Sequence, residues 1–262
     1  MKFIVYLVAV FLCNSLLSGN FINDLRNGIC VLPSAKYVEV DLAINGELLD
    51  TFSIDHAKSI SFAYQGNDIE LKSTLVNFLS GISSTEKSII NNLADLLTER
   101  LNDIYIVQEK PYLWVFVSST MTKDMNYKWH TDLSFEKEAS AGSAKLGREI
   151  EYLGRQDCAH DYFVLMTLKG PATQFYDGIL IPSKREEFAQ CLCRENFTAI
   201  HHLLDSDYFN SGKTGSAYIL LNGMWDGCIH SAPPKIDEER LLIAVGGASE
   251  KAKQYLEQKF KK

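Results

Sequence analysis

No cluster of basic residues occurs along this chain of 262 residues outside the short C-terminal stretch Lys259-Phe260-Lys261-Lys262. With a formal net charge of −7 it presents no cationic footprint, which argues against a nucleic-acid partner. A complete phosphate loop is also missing. Gly212-Lys213-Thr214 imitates the end of one, but Asp207 stands where the first glycine is needed. No apolar run reaches the roughly 20 residues of a membrane-spanning helix. The six cysteines give no disulfide framework, because losing Cys13 with an N-terminal leader would leave an odd set: Cys30, Cys158, Cys191, Cys193 and Cys228. Cys191-Leu192-Cys193 is too tight for a zinc knuckle and sits in a helix-like stretch, which reads as buried thiols. Internal repeats and low-complexity tracts are absent, and helices do not alternate with strands, so a doubly wound α/β sheet fits poorly.

What is present is an ordinary globular composition, 46% hydrophobic and 23% charged. At the N-terminus Lys2 precedes an apolar run from Phe3 to Cys13 and then Asn14-Ser15-Leu16-Leu17-Ser18-Gly19. Residues 1–19 therefore read as a signal peptide, although Leu17 occupies a position where cleavage wants a small residue. An uncleaved anchor, which alone would bring a membrane contact, and an ordinary buried element are the alternatives. Export through a secretory pathway follows from the first reading, a cytoplasmic location from its failure. Asn196-Phe197-Thr198 is a glycosylation sequon, meaningful only on a eukaryotic secretory route.

Residues 20–110 read as a flanking region of hairpin and helices, and residues 111–262 as a β core closed by a C-terminal helix. The hairpin is expected from Tyr37–Ile44, the Asn45-Gly46 turn and Leu48–Ile54. Helices follow at 68–80 and 85–102, the second with Ile89, Leu93, Leu96, Leu97 and Leu101 at helical spacing. Strands are expected at 112–117, 126–133, 162–168, 173–176, 179–181, 217–221, 227–231 and 240–245. A helix with Ser183 as its cap covers 183–195, another 249–260, and 135–160 reads as a long loop over the mouth. The fold class is mainly β with flanking helices (α+β), as a sandwich or barrel.

His130-Thr131-Asp132, with His230 far downstream and Arg240 ten residues beyond it, carries the chemistry. Residues two apart on a strand share a face, so His130 and Asp132 project together. Two imidazoles and one carboxylate hold a divalent iron on one side and leave positions open for a chelating acid and dioxygen. Arg240, on a strand expected to return beside that of His230, is placed to grip a carboxylate with its guanidinium fork. His201-His202 reads as structural, His160-Asp161 as surface and His56 as a turn residue. Trp129 and Trp225 read as core packing near the metal strands.

These residues resemble the Fe(II)- and 2-oxoglutarate-dependent dioxygenase superfamily over about residues 112–247. The likeness is strongest in Trp129-His130-Thr131-Asp132, in Ile229–Pro234 with Arg240–Val245, and in Lys169–Tyr176. The resemblance implies a double-stranded β-helix (jelly-roll or cupin-like) core. It also implies His130, Asp132 and His230 as iron ligands, and Arg240 as holder of the distal 2-oxoglutarate carboxylate, with Thr173 or Tyr162 adding a hydroxyl. Fe(II), 2-oxoglutarate and ascorbate are the implied cofactors, and a small molecule or peptide the implied substrate. The product of the cosubstrate would be succinate. A cupin-like protein that binds metal or a small ligand without turnover, or an inactive relative, is the alternative.

Overall fold

Strands that carry apolar side chains on both faces need a cover on each side, and this requirement shapes the molecule. The computed structural model describes residues 36–42, 44, 46–55, 60–66, 68–104, 112–119, 127–133, 162–223, 227–234 and 238–260. The leader at 1–19, Cys30, His56, the 135–160 loop, Cys158, His160-Asp161 and Trp225 lie outside them, as does the side chain of Tyr162. Among the described residues no helix is long and apolar enough to cross a membrane.

In chain order the elements are β1 (Tyr37–Asp41), α1 (Gly46–Thr51), β2 (Ser61–Gly66), α2 (Asp68–Ile82), α3 (Lys87–Ile104), β3 (Tyr112–Ser119), β4 (Tyr162–Lys169) and β5 (Gln174–Tyr176). They continue with α4 (Pro182–Cys193), α5 (Phe197–Leu203), β6 (Phe209–Ser211), β7 (Ser216–Leu221), β8 (His230–Ser231), β9 (Arg240–Gly247) and α6 (Glu250–Phe260). Six strands form a large antiparallel sheet in the order β1-β7-β4-β9-β3-β2, and three form a small sheet, β6-β5-β8. An isolated bridge between His130 and His230 adds the 127–133 segment to the free side of β8. From β3 onward the chain passes repeatedly between the sheets, and apart from the β2–β3 and β5–β6 pairs the neighbours in each are non-consecutive in sequence. This is the topology of a double-stranded β-helix flanked by helices, the fold that the resemblance implies.

Period-two alternation divides the large sheet's side chains cleanly. Trp114 and Phe116 of β3, Val164 and Met166 of β4, and Leu241, Ile243 and Val245 of β9 face α2 and α3. There they meet Leu71, Leu75, Leu79, Leu93 and Leu97 in one buried cluster. The intervening residues Val115, Leu165, Leu242 and Ala244 face inward and line a cavity of about 200 Å³ together with groups from the small sheet. The outer side of the small sheet is covered by α4 and α5, where Trp129, Phe188, Ile200 and Ile229 pack.

Several expectations are corrected. The N-terminal hairpin does not form: β1 pairs with β7, Tyr37 opposite Leu220, and Gly46–Thr51 is helical. Leu48, Leu49 and Phe52 recur at helical spacing, Phe52 is fully buried, and that period overrides the Asn-Gly turn signal. Residues 179–181 form no strand; Ile179 and Ile181 are exposed, and Pro182 opens α4. Proline at the first helical position needs no cap, and Ile181 rather than Ser183 precedes it, with no side-chain cap bond. Arg240 does not return beside His230, since β9 lies in the large sheet between β4 and β3 while β8 lies in the small one. The segment around His130 pairs at a single bridge, not as a strand from 126 to 133.

Candidate metal centre

His130 and His230 face each other across that bridge through two reciprocal backbone hydrogen bonds, N–H of each to C=O of the other, both 2.9 Å. Their rings lie 4.4 Å apart between centroids. Asp132, two residues beyond His130, brings its carboxylate between them. Its Oδ1 is 3.6 Å from His130 Nε2, and its Oδ2 is 3.1 Å from His230 Nε2. The three possible ligand atoms fall within 4.8 Å of one another, a spacing that one divalent ion can bridge.

The pairing of the two segments stops on either side of the bridge, and the carbonyls there serve the imidazoles. His130 Nδ1 donates to Lys128 O at 2.6 Å, and His230 Nδ1 donates to Cys228 O at 3.1 Å. A carbonyl only accepts, so each Nδ1 carries the proton. Each Nε2 is then the atom presented to the centre.

Charge at the centre also fits a cation. Burial alone pulls the His230 imidazolium pKa down. The Asp132 carboxylate, through its charge and its hydrogen bond, outweighs that and pushes the value up to about 10. The metal-free centre thus holds a proton where a divalent ion would stand, and ion and proton compete for the same nitrogen.

Arg240 opens β9 on its inward face and lines the same cavity as the triad. It is 8% exposed, and burial lowers its pKa to about 10, which leaves it charged at neutral pH. Its Nε donates to Pro171 O at 3.1 Å and its Nη2 to Thr173 Oγ1 at 3.2 Å. Among the described residues no carboxylate pairs with it. A buried guanidinium without a counter-charge is costly, and a ligand anion would relieve that cost.

Sequence reasoning did not anticipate how this arginine is seated. Gly170 takes φ +79°, and a Cβ there would collide with the Glu239 carbonyl oxygen, so the β4–β5 turn packs directly on the backbone before Arg240. Glu239 Oε2 accepts from Ile54 N–H at 3.1 Å and lies 3.7 Å from Lys169 Nζ, which also donates to Phe52 O. Ser231, fully buried beside His230, was likewise passed over. The small-residue run at 169–173 was the only available signal for the seat, and position next to a ligand the only one for Ser231.

The remaining candidates are placed as follows. Thr173 lines the cavity, buried, with its hydroxyl 3.5 Å from that of Thr167. Trp129 is fully buried and donates from Nε1 to His201 Nδ1 at 3.2 Å, which gives both residues a role in packing. Cys191 and Cys193 are half-buried, not fully buried, and Cys228 is buried.

No family model matches this chain, and no curated protein matches it. Solved structures resemble it at low identity. A rice dioxygenase for auxin oxidation is 11% identical at a TM-score of 0.38, over 87% of this chain and 77% of that one. The viral collagen prolyl hydroxylase of Paramecium bursaria Chlorella virus-1, solved with 2-oxoglutarate, is 10% identical at 0.33, over 81% and 97%. HygX from Streptomyces hygroscopicus, solved with nickel, 2-oxoglutarate and hygromycin B, is 12% identical at 0.34, over 83% and 84%. The weight of any reading falls on the atoms of the site. There, the likeness to Fe(II)- and 2-oxoglutarate-dependent dioxygenases carried by the sequence is matched by a facial arrangement of two histidines and an aspartate.

Proposed function

We propose that this chain is an Fe(II)- and 2-oxoglutarate-dependent oxygenase, a hydroxylase of an organic substrate that is a small molecule or a peptide. The observation that carries the reading is Arg240: a buried, charged guanidinium with no carboxylate partner among the described residues, lining the same cavity as the triad. A metal-binding module without a cosubstrate has no use for that charge. His130, Asp132 and His230 would hold the iron, and Arg240 with Thr173 would hold the far carboxylate of 2-oxoglutarate. The bound pair supplies, with dioxygen, an oxidant able to take hydrogen from a carbon centre. The chain's own residues would fix the imidazole tautomers, offset the far carboxylate's charge through Arg240 and wall the cavity with the apolar Val115, Leu165, Leu242 and Ala244.

The test is anaerobic titration with Fe(II) and then 2-oxoglutarate, watching for the visible charge-transfer band of the chelate, followed by succinate release in air. Arg240→Ala should leave metal binding intact and weaken 2-oxoglutarate binding by about a hundredfold, the scale of a lost charge-assisted pair. Unchanged cosubstrate affinity in R240A would remove the role given to the arginine. Metal binding with no cosubstrate binding in the unaltered protein would leave only a metal-binding module.

A further inference from the structure

An antiparallel ladder that passes through the His130–His230 pair would next join Lys128 N–H to Ala232 C=O, because hydrogen-bonded pairs recur every two residues. The Ser231 hydroxyl stands between those two groups. It accepts from Lys128 N–H at 2.9 Å and donates to Ala232 O at 2.7 Å. One oxygen therefore replaces one ladder bond and holds the segments a hydroxyl's width apart, and the bridge remains isolated. The Lys128 carbonyl, which a continuing ladder would turn toward Ala232, instead accepts from His130 Nδ1 at 2.6 Å. Ser231 itself is fully buried.

We infer that Ser231 is a positioning residue of the metal centre: its hydroxyl interrupts the ladder and keeps the Lys128 carbonyl on His130, fixing which nitrogen that imidazole offers. The inference rests on the reading of His130, Asp132 and His230 as a metal site, but not on the identity of any cosubstrate. His230 is held in the same way by Cys228 O, two residues before it, but no hydroxyl bridges the segments on that side among the described residues.

The experiment titrates the full chain with Co(II) alone, under argon, and reads affinity and the visible d–d spectrum. Ser231→Ala should weaken Co(II) binding about tenfold and alter the spectrum, the scale expected when a group behind a ligating histidine is lost. Ser231→Thr, which keeps the hydroxyl, should restore both. In the Zn(II)-loaded protein, NMR of labelled histidine should show the His130 Nδ1–H signal lost or in faster exchange in S231A, with that of His230 unchanged. Wild-type affinity and an intact His130 signal in S231A would overturn the inference, as would equal losses in S231A and S231T. His230→Ala separates the two levels. If it spares Co(II) binding, the metal-site reading itself falls; if it abolishes binding while S231A does not weaken it, only the role of Ser231 falls.

Discussion

The two sheets of this molecule treat the same backbone differently. In the large sheet the ladder between β3 and β9 runs unbroken over eight residues, from Tyr112↔Gly247 to Ser119↔Arg240. In the small sheet, the pairs are three residues or fewer, and beside the metal centre they shrink to a single bridge. The large sheet spends its carbonyls on other strands and its side chains on the helices behind it. Beside the small sheet two carbonyls turn away from the ladder and onto the imidazoles of the candidate metal centre. Stability is thus concentrated in one layer and the candidate metal ligands in the other, a division that substitutions can test.

The largest effect on folding belongs to the large sheet. Phe116 is fully buried between the sheet and α2, against Phe78. Phe116→Ala should cost about 3–5 kcal/mol of stability, read by denaturant unfolding, while surviving folded protein binds Co(II) normally. Asp132→Ala should do the reverse: Co(II) binding falls below detection in the same titration, and the unfolding free energy of the metal-free protein moves far less when read above about pH 10, where the proton shared with His230 no longer contributes and the partly exposed Asp132 makes little other contact. If both variants changed both quantities equally, the division between the layers would be wrong.

A smaller effect is expected where the layers join. Gly170 lies in the β4–β5 turn, with a positive φ and the Glu239 backbone where a side chain would go. Gly170→Ala should cost about 1–3 kcal/mol. By pushing on the residue before Arg240 it should also raise the 2-oxoglutarate concentration needed for turnover more than it alters Co(II) affinity. Equal damage to both would mean that the arginine and the triad are not seated separately.

How legible this was depended on whether the constraint was local. The β core and the residues of the centre could be read because metal chemistry demands particular side chains, and strand alternation repeats over short windows. The 46–51 helix was missed because Asn45-Gly46 is a strong hairpin signal, while the true partner of β1 lies at Ser216–Leu221, far along the chain. The same holds for Arg240: its inward face could be read, but not that its strand belongs to the opposite sheet. Ser231 is the instructive case. A serine beside a histidine carries no pattern, and its role exists only once two distant segments are brought together.

The gentlest probe of the centre is pH, because it alters no residue. The His230 imidazolium is held up to about 10 by Asp132 against the opposing effect of burial. A metal ion must displace that proton, so below about pH 10 each unit of rising pH should tighten Co(II) binding by up to about tenfold, and the slope should flatten above it. The sign for folding is the opposite. A pKa raised above the unfolded value of about 6.5 gives the metal-free protein stability that is complete below that pH and lost as pH climbs through about 10. Metal-free protein should therefore become easier to unfold across this range, and Zn(II)-loaded protein should not, since the ion replaces the proton as partner of the carboxylate. Asp132→Asn should flatten the metal-free trend, because without the carboxylate only the lowering effect of burial and the smaller influence of Cys228 remain. A trend that persisted in D132N would show that the proton resides elsewhere than between His230 and Asp132.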